Sequence, residues 1–149
     1  MSGLQATLPP PWAQRMGYAG LVPFVALALG TWVLGPAHNG FSGFALLAYG
    51  ATIASFLGAI HWGLAMRDAS QQSLALLGWG VTPSLLAWVA LLAGPFAGLV
   101  VIACLLWACM AVDRMVYPRY QLQGWLRMRL TLTLIASASS VLGALGMLQ

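Results

Sequence analysis

In this chain of 149 residues the side chains able to do chemistry are few. There are six arginines, two acids and two histidines, with no lysine or glutamate. His61 stands inside the apolar stretch Ser55-Phe56-Leu57-Gly58-Ala59-Ile60-His61-Trp62-Gly63, and Asp113 lies about one turn inside the end of another apolar run. An ionisable group in such surroundings needs a partner, because an isolated charge in low dielectric is costly. The candidate partners of Asp113 are His61, Arg127 and Arg129. Together these four residues form a candidate polar site within the membrane. Such a site can act as a clamp that fixes helix register, or it can bind a ligand headgroup or carry a proton.

Other chemistries find no support in the residues. Gly-x-Ser-x-Gly, His-Glu-x-x-His and phosphate-binding glycine loops are missing, and with no glutamate the acid/base inventory is thin. No catalytic residues are therefore expected, and the enzyme class is the least favoured. Met66, Met110, Met115, Met128 and Cys109 fall near the membrane level of His61, and soft sulfur ligands suit Cu(I). Methionine is also a common gap-filler in apolar helices, and no Met-x-Met or Cys-x-x-Cys pair fixes a geometry, so no metal is expected. Cys104 and Cys109 sit about 140° apart around one helix and cannot bridge each other. Cys-x-x-Cys-His is missing, and a bis-histidine haem would need a second buried histidine. No cofactor is expected.

The elements that position these residues follow from composition. Hydrophobic residues make up 61% of the chain and charged ones 5%, against about 25% charged in a soluble domain. The mean hydropathy is +0.88. Five apolar runs, near residues 17–35, 43–66, 73–93, 95–116 and 128–148, each have roughly the 20 residues that cross a hydrocarbon core. Backbone groups in lipid must be satisfied internally, so the runs are helices. The expected fold is an all-α integral membrane bundle of five transmembrane helices in one domain spanning residues 1–149. Gly94-Pro95 makes a hairpin of the third and fourth spans, and Pro83 predicts a bend in the third. The lead up to Gln14, with Pro9-Pro10-Pro11, is expected to be extended or irregular.

All six arginines favour one orientation. Arg15 precedes the first span, Arg67 follows the second, and Arg114, Arg119, Arg127 and Arg129 flank or fill the connection between the last two. The opposite side, including Gln149, has none. Arginine-rich short loops stay cytoplasmic, which places the N-terminus in the cytoplasm and the C-terminus on the periplasmic side. The arginines report orientation and not a nucleic-acid footprint. The segment 114–127 interleaves Arg114, Arg119 and Arg127 with Tyr117, Tyr120 and Trp125, as the headgroup region favours, and is expected to lie along the interface against lipid.

Helical spacing puts Gly50, Ala54 and Gly58 on one face of the second span, with His61 at its cytoplasmic end, and Ala136, Ser140 and Ala144 on one face of the fifth. Small residues at this spacing let helices approach closely, so the two faces are expected to pack together, or to serve self-association.

The motifs Gly50-Ala51-Thr52-Ile53-Ala54-Ser55 through Gly63, then Gly78-Trp79-Gly80-Val81-Thr82-Pro83-Ser84-Leu85-Leu86-Ala87-Trp88, then Asp113 and Leu126-Arg127-Met128-Arg129-Leu130-Thr131 resemble one family. It is that of the small inner-membrane proteins carrying domain of unknown function 3429, bacterial proteins with mitochondrial relatives of the transmembrane protein 69 type. The likeness covers about residues 15–148. It implies a multi-pass protein of the bacterial inner membrane, with an energy-transducing membrane as its natural setting, and supplies no catalytic residues. The expected role is an accessory or assembly subunit of a respiratory or photosynthetic complex. The alternative is a self-sufficient small transporter or quinone- or lipid-binding protein built on the polar site. Expected partners are membrane lipids and partner membrane proteins or further copies, with no nucleic acid.

Overall fold

The computed structural model of the protein describes residues 8–67 and 73–148. Residues 1–7 of the expected lead, and Gln149, lie outside them. The described chain is helical, with no strand: α1 (Pro11–Ala19), α2 (Leu21–Val33), α3 (Pro36–Arg67), α4 (Leu74–Leu92), α5 (Pro95–Val116) and α6 (Leu126–Gly146). Two 3₁₀ turns, Tyr117–Tyr120 and Gln123–Trp125, join α5 to α6. Five segments are long and apolar enough to cross a membrane, with α1 and α2 together forming the first.

The expected bounds hold within two residues for the third, fourth and fifth spans, and the first two need correction. The first helix begins at Pro11, not near residue 17, because proline at the first helical position has no N–H to leave unsatisfied and a φ already suited to a helix. The segment breaks at Gly20, where Pro23 lacks the N–H that would bond the carbonyl four residues back, at Ala19. The second span starts at Pro36, seven residues before the expected position, so the connection expected to be an outer loop is mostly helical. Gly94, which caps α5, has φ +85°, a conformation that glycine adopts without a Cβ penalty. Ser73 caps α4 by accepting a hydrogen bond from the Leu76 N–H at 3.1 Å.

The bundle is apolar on its outside. Val22, Leu29, Phe44, Phe56, Leu85 and Trp88 are among many large hydrophobic side chains left exposed, whereas Thr31, Ser42, His61, Asp113, Arg129 and Thr133 are buried. Water would penalise that outer surface, and a hydrocarbon solvent does not. Leu46, Leu47, Leu99, Ile102 and Leu106 fill the centre between α3 and α5.

The two glycines of the α3 face lie against α5 and α4. Gly50 receives Ile102 of α5, whose Cγ2 would lie 2.8 Å from an added Cβ. Gly58 lies on the Gly80 carbonyl and the ring of Pro83 in α4. Trp62 fills the notch at Gly80 and donates from Nε1 to the Leu77 carbonyl at 2.9 Å. The α3 face is thus used by α4 and α5. α6 turns its buried small residues toward α2, α3 and α5, with Gly143 against Leu46 and Gly146 against Thr31 and Trp32.

These contacts predict which glycines matter. Gly58→Ala should lower the unfolding free energy in detergent by about 1–3 kcal/mol, since backbone and a proline ring cannot give way. Gly63→Ala and Gly78→Ala, which open onto free space, should be neutral or slightly stabilising. Thermal unfolding of the purified variants measures the difference.

Candidate functional site

At the arginine-bearing end of the bundle, α3, α5 and α6 bring His61, Asp113 and Arg129 into contact. Arg129 Nε donates to Asp113 Oδ2 at 2.7 Å. Its Nη2 stands 2.7 Å from the same oxygen, but its N–H groups are not aligned with it and make no hydrogen bond there. His61 Nε2 lies 3.5 Å from Asp113 Oδ1. All three residues are buried, Asp113 at 1% and His61 at 0% exposure.

The histidine's other nitrogen sets its tautomer. Nδ1 is 3.2 Å from the Leu57 carbonyl, which can only accept, so Nδ1 carries a hydrogen and donates it. Neutral His61 then turns a bare Nε2 lone pair toward Asp113 Oδ1.

Of the four residues expected to form the site, Arg127 is the exception. It is exposed, because two residues of helix turn it about 200° from Arg129. The interfacial expectation also holds only in part. Arg114 and Arg119 are exposed and Tyr120 and Trp125 half-buried, but Tyr117 is buried under the bundle rather than displayed to lipid.

Beside the triad lies a cavity of ≈ 390 Å³, enclosed by α1, α2, α3, α5 and α6. Its wall is almost wholly apolar, with Phe24, Ile53, Leu57, Ile60 and Leu106 among the lining. The polar residues on it are Tyr117, Trp125, Arg129 and Thr133. Met16 and Phe56 also line it and are themselves exposed, so the cavity reaches the surface of the bundle at α1 and α3.

Five buried side-chain polar atoms among the described residues lack a hydrogen-bond partner, and three of them belong to this wall: Trp125 Nε1, Arg129 Nη2 and Thr133 Oγ1. Unpaired, the Trp125 and Thr133 groups each cost about 1–3 kcal/mol, whereas Arg129 Nη2 keeps its ion-pair contact with Asp113. His61 and Asp113 do not line the cavity; they stand behind Arg129 and hold it in place. The sequence reading missed Thr133 and the inward role of Trp125. The signal was available, since Trp125, Arg129 and Thr133 recur every four residues and so share one face.

The profile of a family described as "Protein of unknown function (DUF3429)" matches residues 9–145. The chain belongs to the DUF3429 family. The chain is also 43% identical over 82 residues to Transmembrane protein 69 of Xenopus tropicalis, a match covering 54% of this chain and 32% of that protein. It thus spans about a third of that relative's length. No solved structure matches. The triad and the cavity lining lie inside the matched residues, and its five apolar helices make this DUF3429 protein a multi-pass membrane protein.

The ion pair predicts an asymmetric mutational response. Asp113→Asn leaves the Arg129 guanidinium buried without its counter-charge and should cost about 3–5 kcal/mol of stability. Arg127→Gln should stay within about 0.5 kcal/mol. Replacing both Asp113 and Arg129 by leucine should cost less than Asp113→Asn alone. Denaturation in detergent micelles checks all three.

Proposed function

We propose that the protein is a membrane-embedded binding protein for one small amphiphilic molecule of the lipid or quinone class. The molecule enters the cavity from the bilayer, with its polar end at Trp125, Arg129 and Thr133 and its tail leaving between Met16 and Phe56. The observation that carries this reading is an apolar cavity whose few polar side chains, Tyr117, Trp125, Arg129 and Thr133, all come from the segment 117–133. A volume of ≈ 390 Å³ falls in the range of about 300–1,000 Å³ in which small-molecule pockets occur. The role is binding or carriage, with no catalytic residue. The His61–Asp113 pair stands behind the polar end and holds Arg129 in place. The arginine distribution supports a bacterial inner membrane with the site at the cytoplasmic end.

A second reading, an accessory or assembly subunit of an energy-transducing complex, is favoured by a different feature. A shallow outer groove between α3 and α4 has a floor of small side chains, among them Ala48, Thr52, Ser55 and Ser84, with Trp88 and Leu91 also lining it, against which a partner transmembrane helix could seat. The two readings are compatible.

Native mass spectrometry of the protein released from its membrane in mild detergent tests the binding role. One amphiphile per chain is expected, with at least a tenfold loss of occupancy in Ile53→Trp, which fills the cavity. A chain that emerges empty from native membrane contradicts the reading. Recovery with a stoichiometric membrane partner supports the accessory role, and recovery only as free chain removes it.

A further inference from the structure

Resting on that reading, we infer that the molecule bound has an uncharged, flat head that only accepts hydrogen bonds, the chemistry of a prenylated quinone and not of a phospholipid phosphate.

Charge is the first argument. Arg129 is the one ionised side chain on the cavity wall, and Asp113 at 2.7 Å already balances it. No second cation lines the cavity. An anionic headgroup drawn out of water would meet no unmatched positive charge to offset its desolvation. A neutral head meets no such penalty.

Hydrogen-bond direction is the second. Trp125 Nε1 and Arg129 Nη2 can only donate, and the Thr133 hydroxyl can donate or accept. A group that satisfies all three must therefore present acceptors. Ring carbonyl and ether oxygens do so without bringing donors of their own.

The third argument is the shape and polarisability of the walls. Phe24, Tyr117, Trp125 and Met128 all line the cavity. Aromatic faces and a thioether favour a flat π-system, with sulfur–ring contacts adding to the burial. A single apolar tail then passes Met16 and Phe56 into the lipid, consistent with a wall that is apolar everywhere but at one end.

The test uses the full chain in nanodiscs of phosphatidylcholine, with a decyl-substituted benzoquinone as probe and quenching of tryptophan fluorescence as readout. Saturable quenching is expected, insensitive to replacing part of the phosphatidylcholine by phosphatidylglycerol. Thr133→Val should weaken binding about five- to tenfold, Trp125→Phe by a similar factor, and Thr133→Ser should restore most of it. Ile53→Trp should abolish saturable quenching. Quenching that persists in Ile53→Trp reports quinone dissolved in the bilayer and overturns the inference. Displacement by phosphatidylglycerol, or an absence of quinone binding by a chain that carries phospholipid from its native membrane, overturns the inference and leaves the binding role standing. A chain that binds neither overturns both.

Discussion

The buried contact between Asp113 and Arg129 is the constraint around which the rest of this end of the molecule is arranged. It joins α5 to α6 across a low-dielectric interior, where neither charge is tolerable without the other. His61 brings α3 to the same carboxylate. The cluster thus ties three helices at one level. It also fixes the Arg129 side chain, whose Nε bonds the carboxylate, against the cavity wall. A structural pair of this kind turns an arginine that would otherwise reach for headgroups into a held, inward-facing donor.

Around that fixed point the packing is of the kind expected where lipid is the solvent. With apolar surface on the outside there is little hydrophobic drive between helices, and close approach of backbones does more of the work. Gly58 on Pro83 and Gly80 under Trp62 show it in the α3–α4 pair, and Gly143 under Leu46 shows it for α6. The cavity is the place where this close packing stops. The α1–α2 junction at Gly20 borders it, and residues from both sides of that junction, Met16 and Phe24, line the space.

Much of this was legible in the chain itself. Lipid-crossing length fixed five spans, and α5 begins and ends where its apolar run does, between Gly94-Pro95 and the polar connection. The meeting of His61, Asp113 and Arg129 followed from the cost of an unpaired intramembrane charge. Arg127 was indistinguishable from Arg129 on that argument alone, and only helix phase separates them. The start of α1 was obscured because three consecutive prolines read as an extended segment, although the last of them sits where a helix accepts it. The neighbours of Gly50 and Gly58 were hidden for another reason. Such faces say that some backbone approaches closely but carry no information on which one, and Gly58 found Pro83 instead of α6. The cavity depends on five helices at once and has no linear signature beyond the four-residue recurrence of Trp125, Arg129 and Thr133.

The central claim is that Trp125, Arg129 and Thr133, on the cavity wall, hold the polar end of a lipid-soluble molecule. A density map of the protein in its native lipid tests it most directly. The account predicts an elongated density inside the cavity, with one end within hydrogen-bonding distance of Trp125 Nε1, Arg129 Nη2 and Thr133 Oγ1 and the other passing between Met16 and Phe56. A cavity closed by side-chain rearrangement, or one in which ordered water alone satisfies those three atoms, would contradict it.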